Sequence, residues 1–149
     1  MKKNTDLHTP FLIDLISDQH KELRRELMEQ WSKQHPPESK DSMPMTETEA
    51  HLLAMLNKEN LTVAESARRM NISRQGAHKC AKQLIERGYL SSHEVEGNLR
   101  DKSLRLTQKG EAYTYEMDQL KASLDQLIRK KIGQEAYDYL FTTMKTSWI

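Results

Sequence analysis

Apolar residues recur at three- to four-residue intervals along most of the chain, which predicts a mainly helical protein. A first helix is predicted over residues 9–33, with Pro10 in its first turn. The apolar positions of this helix are Leu12, Ile16, Leu23, Leu27 and Trp31. Residues 35–44 contain three prolines and show no periodicity, so we expect a linker there.

The next two helices begin with the same signal, a threonine followed three residues later by a glutamate, which is the pattern of a capping box. Thr46 and Glu49 open the second helix, and Thr62 and Glu65 open the third. We expect the second helix to bury Leu52, Leu53 and Leu56, and the third to bury Val63, Ala64, Ala67 and Met70.

A fourth helix is predicted between Ser73, a favourable N-cap, and Gly88, a favourable C-terminal stop. Its core-facing stripe is Ala77, Cys80, Ala81, Leu84 and Ile85. Only Asn71 and Ile72 separate the third helix from the fourth, so the two helices must turn sharply against each other. This arrangement is a helix-turn-helix.

Two short, partly alternating segments follow, residues 89–95 and 101–106, on either side of a polar turn at 96–100. They predict a β-hairpin, which directly after a helix-turn-helix is the wing of a winged helix. Thr107 then caps a long helix that Gly133 ends, and a last helix follows. The apolar positions are Tyr113, Met117, Leu120, Leu124 and Leu127 in the long helix, and Ala136, Leu140, Met144 and Trp148 in the last. Spacings of four and three in the long helix suit packing against another helix.

The charge of the chain is small but unevenly distributed. The 149 residues have a formal net charge of +1. Residues 61–110 carry ten Lys and Arg against five Asp and Glu, whereas the rest of the chain carries 13 against 17. A basic segment between mildly acidic flanks is expected where only one part of a molecule meets nucleic acid.

Several classes of protein are disfavoured. No apolar run approaches the roughly 18 residues that span a bilayer, and no signal-peptide pattern opens the chain. The single cysteine, Cys80, cannot form an intramolecular disulfide, so we expect a cytoplasmic protein without a membrane partner. No phosphate-binding loop, nucleophile elbow or cysteine beside a base is found, so we expect neither an enzyme nor a cofactor.

Residues 72–110 carry a specific set of motifs. Ser73-Arg74-Gln75 opens the fourth helix, Arg87-Gly88-Tyr89-Leu90 follows it, the wing contains Asn98-Leu99-Arg100-Asp101-Lys102, and Leu106-Thr107-Gln108-Lys109-Gly110 leads into the long helix. In this layout the chain resembles the MarR family of bacterial transcriptional regulators over nearly its whole length. Arg100 occupies the position of the family's wing arginine, whereas Asn98 replaces an aspartate and can still brace the turn by hydrogen bonding.

The resemblance implies a fold that is mainly α with a small β-wing, in a single domain over residues 1–149. A winged helix-turn-helix lobe at 46–106 is flanked by dimerisation helices at 9–33 and 107–149. Family members are homodimers, and many lose affinity for DNA when they bind small, often phenolic, ligands. The implied partners are therefore a second copy, double-stranded DNA with a pseudo-palindromic site, and a small-molecule effector.

The chemistry of the fourth helix and the wing fits DNA. The amide of Gln75 can pair with adenine, and Arg100 at the wing tip can enter a minor groove. Gly76 weakens the helix, which a close approach to DNA could explain. The candidate DNA-binding residues are Ser73, Arg74, Gln75, His78, Lys79, Lys82, Asn98, Arg100 and Lys102. The rival interpretation is an ordinary solvated basic helix face.

Regulation is less well specified by the sequence. In the family, effectors occupy a cleft lined by the first, second and fifth helices, and the matching candidates are Trp31, Met45, His51 and Tyr113. Each of them is equally typical of a core or a surface.

Three further hypotheses remain open. Cys80 could sense oxidants, although its place in an apolar stripe favours core packing. Six histidines raise metal sensing, but no two of them have the i, i+4 spacing of a helical site, so we expect no metal. The chain could also be a protein-interaction adaptor that retains a winged helix without binding DNA, and salt-dependent DNA binding would separate the two.

Overall fold

The protein has the mainly helical fold with a small β-wing that the sequence predicts. A computed structural model describes residues 10–37 and 43–149. In order, the elements are α1 (Leu12–Gln34), α2 (Glu47–Leu56), β1 (Leu61–Thr62), α3 (Val63–Met70), α4 (Arg74–Glu86), β2 (Leu90–Val95), β3 (Asn98–Leu106), α5 (Gln108–Ile132) and α6 (Gln134–Met144). Residues 38–42 of the expected linker, and Thr9 of the expected first helix, lie outside the described residues.

The chain divides into two compact units. One, here called the winged-helix unit, is residues 43–119; the other, the terminal unit, comprises the described residues 10–37 together with 120–149. The boundary falls within α5, so the first half of that helix belongs to the winged-helix unit. The assignment of residues 107–149 to dimerisation helices stays a prediction.

Both predicted capping boxes are confirmed. Thr46 Oγ1 accepts a hydrogen bond from the Glu49 amide (3.1 Å), and Glu49 Oε1 accepts one from the Thr46 amide (3.2 Å). Thr62 and Glu65 repeat the exchange at the start of α3, at 3.2 and 2.9 Å. These reciprocal bonds satisfy amides that the first turn of a helix cannot satisfy itself.

The core of the winged-helix unit lies between α2, α3, α4 and the sheet. Leu52, Leu53, Leu84 and Leu104 are almost completely buried. The predicted stripe of α4 is correct except at Ile85, which is 38% exposed. On α3, Ala64 and Met70 are only half-buried, whereas Ser66 was not predicted and is fully buried. Its hydroxyl donates to Thr62 O at 2.9 Å, and this bond satisfies the buried polar group.

The wing is a β-hairpin completed by a strand that the sequence analysis missed. β2 and β3 are antiparallel, with Leu90 opposite Leu106 and Glu94 opposite Lys102. The turn is Glu96–Gly97, with Gly97 at φ +79°, so β3 begins at Asn98, earlier than the predicted 101. β1 pairs with the other edge of β3, Leu61 lying opposite Leu104. A two-residue strand is too short to leave a periodic signal.

The terminal unit consists of α1, the second half of α5, and α6. Pro10 was expected in the first turn of α1, but the helix begins at Leu12 with Phe11 as N-cap, so Pro10 precedes it. Trp148 was expected on the last helix, but α6 ends at Met144 and the Trp148 indole instead donates to Thr143 O at 2.9 Å. Tyr137 of α6 is buried, and its hydroxyl donates to Asp125 Oδ2 of α5 at 2.9 Å.

Candidate nucleic-acid interface

The N-terminal half of α4 presents the predicted polar face. Ser73 caps the helix, its Oγ accepting from the Gly76 amide at 2.9 Å. Ala77, Cys80, Ala81 and Leu84 hold the opposite face in the core. The predicted DNA-binding residues of this segment are all exposed: Ser73, Arg74, Gln75, His78, Lys79 and Lys82.

The entry to α4 is set by a tight turn after α3. Asn71 adopts a left-handed conformation (φ 52°, ψ 46°), and the next amide, that of Ile72, donates back to Ala67 O at 3.1 Å. Asparagine tolerates this conformation better than most residues. Two residues after Asn71 the chain reaches the Ser73 cap, which confirms the predicted sharp turn.

Gly76 lies against the atom that caps α4. A Cβ at this position would lie 3.0 Å from Ser73 Oγ, the atom that caps the helix. A shift of the Ser73 side chain by a few tenths of an ångström would relieve this contact. The equivalent caps at Thr46 and Thr62 bond to a glutamate amide, so the Ser73 cap does not by itself require glycine at position 76.

A bulge shapes the tip of the wing. Glu94 pairs with Lys102, but the next residue of β2, Val95, pairs with Asn98, so residues 99–101 are additional on β3. Asn98 Oδ1 braces them by accepting from the amides of Arg100 and Asp101, both at 3.1 Å. The predicted bracing by Asn98 is thus confirmed. Bulges redirect side chains, and Arg100 is exposed on this one.

A groove runs between α4 and the wing. It is lined by Val63, His78, Ala81, Lys82, Ile85, Glu86, Ser92, Arg100, Lys102 and Leu104. The groove brings together residues of α4 and β3 that are far apart in sequence and that were predicted separately as DNA contacts, namely His78, Lys82, Arg100 and Lys102.

The positively charged side chains of this surface are not neutralised by carboxylates in the described part of the chain. Among the described residues, Arg74, Lys79, Lys82, Arg100 and Lys102 form no ion pair with a carboxylate. Two other arginines of the winged-helix unit are paired, Arg69 with Glu59 and Arg87 with Glu49. Arg68 of α3 is also exposed and without a carboxylate partner in the described part of the chain, and the sequence analysis missed it. The sequence does not distinguish Arg68 from the next residue, Arg69, although only Arg69 is ion-paired.

Cys80 is a buried core residue. Burial raises the pKa of its thiol to about 11, and the Glu49 carboxylate contributes to the increase. A thiol with such a pKa is almost entirely protonated near neutral pH, so it is a poor nucleophile. No group of three potential metal-ligating side chains occurs within residues 10–37 and 43–149.

The candidate effector residues lie in both units. Met45 and Tyr113 are buried in the winged-helix unit, where Met45 Sδ accepts from Arg87 Nη1 (3.3 Å) and the Tyr113 ring meets the Tyr89 ring edge-on at 5.7 Å. His51 is exposed on α2. Trp31 belongs to the terminal unit, is half-buried, and stacks on the His35 ring with centroids 3.8 Å apart.

Comparison with known proteins matches the winged-helix unit most directly. A sequence model of the MarR family matches residues 43–101. The transcriptional regulator AdcR of Streptococcus pneumoniae is 40% identical over 48 residues, 32% of this chain and 33% of AdcR. A riboflavin kinase of Pyrobaculum calidifontis is 46% identical over 63 residues, 42% of this chain and 26% of the kinase. The chain therefore spans only a third and a quarter of the length of these two relatives.

Solved structures match nearly the whole chain. The reduced form of MarR from E. coli has a TM-score of 0.74 at 18% identity, covering 92% of this chain and 98% of that one. NadR in complex with 4-hydroxyphenylacetate has a TM-score of 0.65 at 18% identity, covering 93% and 92%. At such identities the likeness establishes the fold alone.

The fold and the exposed face of α4 define a winged helix-turn-helix protein. Within the winged-helix unit, residues 43–101 are similar to the MarR family, whose sequence model they match. In the described part of the chain, no helix combines the length and apolarity needed to cross a membrane.

Proposed function

We propose that this chain is a cytoplasmic, sequence-specific DNA-binding repressor that acts as a homodimer on a pseudo-palindromic operator. The observation that carries the proposal is the set of exposed cations on α4 and the wing, which have no carboxylate partners among the described residues. Contacts between such cations and phosphates increase the affinity for DNA, because counterions bound to the DNA are released.

The roles of the DNA-binding residues follow from their positions. Gln75 lies in the first turn of α4, the part of a recognition helix that reaches base edges in the major groove. Arg74, in the same turn, can reach a guanine or a phosphate, and the N-cap Ser73 can donate to a phosphate. His78, Lys79 and Lys82 lie further along the helix, where phosphates approach. On the wing, Arg100 and Lys102 contact the adjacent minor groove and its backbone, and Asn98 holds the bulge that carries Arg100.

Dimerisation is supported by apolar side chains of the terminal unit. No residue of α1 is buried. The exposed large apolar residues of this unit include Phe11, Leu12, Ile13, Leu15, Leu127, Ile132, Tyr139, Leu140, Phe141, Met144 and Trp148. A second copy would cover them at the least cost, because like surfaces of one chain meet about a two-fold axis. Sedimentation should therefore give a dimer at micromolar concentration, and a stable monomer would contradict this part of the proposal.

We further propose that a small phenolic molecule releases the repressor from DNA. The candidate ligand contacts are Trp31, Met45, His51 and Tyr113. NadR, which shares the fold, was solved with 4-hydroxyphenylacetate bound, and this supports the class of ligand. A thermal-shift screen of phenols, with and without operator DNA, tests it. A ligand that stabilises the free protein but weakens the DNA complex is the expected result.

The competing function is an adaptor that keeps the winged helix without binding DNA. Selection of duplexes from a random pool by the full-length protein separates the two. The proposed function predicts enrichment of a sequence with two half-sites about one helical turn apart, bound with an affinity that falls steeply with salt. Recovery of no preferred sequence, with weak binding that barely responds to salt, would support the adaptor.

A further inference from the structure

The turn between α3 and α4 forms a concavity, and Arg74 is the one lining residue to which the proposed roles above assign a DNA contact. It is lined by Ala64, Ala67, Arg68, Asn71, Ile72 and Arg74. The alanines of α3 contribute only short side chains, while Arg68 and Arg74 come from α3 and α4, on either side of the turn. The left-handed conformation of Asn71 reverses the chain between the two arginines.

The nearby carboxylates of Glu65 and Glu59 are engaged by other groups and do not neutralise Arg68. Glu65, one turn earlier on α3, is engaged in the capping box, with its Oε2 accepting from the Thr62 amide at 2.9 Å. Glu59 is engaged by Arg69. Within the described residues, neither Arg68 nor Arg74 has a carboxylate partner, and both are exposed.

We propose that Arg68 and Arg74 together bind one phosphate of the DNA backbone at this turn, so that the DNA interface extends from α4 onto α3. The proposal rests on the proposed DNA-binding function. Two guanidinium groups provide planar, multiply donating partners for the phosphate oxygens. Because the side chains of Ala64 and Ala67 are short, the concavity has room for a phosphodiester beside the two arginines.

A phosphate contact fits this position better than a base contact. In a helix-turn-helix, the first helix crosses the DNA backbone while the second enters the major groove. Arg68 lies in the last turn of the first helix, so it meets phosphates and carries no sequence information.

The adjacent arginine provides a matched control. Arg68→Ala and Arg69→Ala each remove one arginine from the same turn of α3, but only Arg69 is held by a carboxylate. Dissociation constants of the full-length protein would be measured against salt concentration, on the selected operator and on a random duplex. Thermal melting of each variant reports whether the fold is kept.

Arg68→Ala should weaken binding to both duplexes by the same factor, and the slope of log affinity against log salt should fall by about one in total when Arg74→Ala is added, because the two arginines share one phosphate. Arg69→Ala should leave the slope close to that of the wild type. Because both arginines contact one phosphate, losses from Arg68→Ala and Arg74→Ala on the random duplex should be non-additive in the double variant. Additive losses would assign two separate phosphates and overturn the shared site.

The outcomes also distinguish this inference from the function on which it rests. If the wild type binds its operator and Arg68→Ala behaves like Arg69→Ala, the phosphate site is wrong and the DNA-binding function stands. If the wild type binds no duplex in a salt-dependent way, the proposed function fails and the phosphate site fails with it.

Discussion

Arg87 Nη1 lies 3.2 Å from Glu49 Oε2, in an ion pair that joins the C-terminal end of α4 to the first turn of α2. The Arg87 side chain is 18% exposed and that of Glu49 only 7%. Arg87 Nη2 also donates to Met43 O at 2.7 Å, which fixes the segment that leads into α2. The pair therefore sets the position of the end of the proposed recognition helix within the winged-helix unit.

Arg87→Ala should lower the free energy of unfolding by about 3–5 kcal/mol, because Glu49 would keep a buried charge without its partner. Chemical denaturation measures this loss. The control is Arg69→Ala, which removes an ion pair whose side chains are about half exposed and should cost no more than about 1 kcal/mol. Equal losses in the two variants would show that burial does not strengthen the Arg87 pair.

Gly110 should not tolerate alanine. A Cβ at this position would overlap the carbonyl oxygen of Tyr89, which accepts the amide of Thr107 at 3.1 Å. The backbone would have to move, so we expect a loss of roughly 1–3 kcal/mol in a denaturant titration, as for other overpacked sites. Gln108→Ala, at an exposed neighbouring position, is the control and should change stability little. A fully stable Gly110→Ala variant would contradict the close approach.

Local signals in the sequence account for the parts of the fold that were predicted correctly. Thr46, Thr62 and Ser73 bond to amides three residues away, so the residues that form each cap lie within one short stretch. Gly88 and Gly97 adopt positive φ, which few other residues accept, and both mark the ends of elements as expected.

Contacts between distant residues account for what the sequence analysis missed. β1 exists because Leu61 finds a partner 43 positions away in Leu104. The bulge at 99–101 depends on how β2 and β3 register against each other. Glu59 pairs with Arg69 and not with Arg68, so Arg68 keeps its charge without a carboxylate partner among the described residues. Ile85 is exposed at the groove beside the wing, although it follows the period of the core.

The wing should contribute substantially to operator affinity. Arg100→Ala should weaken operator binding at least tenfold, corresponding to roughly 1.4 kcal/mol, because it removes the exposed cation carried by the bulge. Arg105→Ala is a control on the same strand, outside the bulge and the α4 groove. A mobility-shift titration measures both. Unchanged affinity for Arg100→Ala, with the fold intact, would remove the wing from the proposed mechanism.

Cys80 should be unreactive in the native protein. With a pKa of about 11, raised mainly by burial, its thiolate population near pH 8 is roughly a hundredfold below that of a free cysteine. Labelling by a thiol reagent should therefore be slow at pH 8 and should accelerate as the pH rises towards 11, because the thiolate is the reactive form. Fast labelling at pH 8, in protein that remains folded, would revive the redox-sensor hypothesis.

The central claim is that the first turn of α4 contacts bases and that residues further along the helix contact phosphates. Two variants of this helix test the claim most directly. Gln75 and Lys82 are both exposed on α4. Gln75→Ala should cost roughly 1–3 kcal/mol on the operator and little on random DNA. Lys82→Ala should weaken both duplexes alike and reduce the salt slope by about one.

The decisive measurement is the ratio of operator to random-duplex affinity for Gln75→Ala, relative to the wild type and to Lys82→Ala. We expect this ratio to fall by about one to two orders of magnitude for Gln75→Ala and to stay constant for Lys82→Ala. Equal losses of operator and random affinity in Gln75→Ala would contradict base reading by this residue. No loss in either variant would leave α4 as an ordinary solvated helix face.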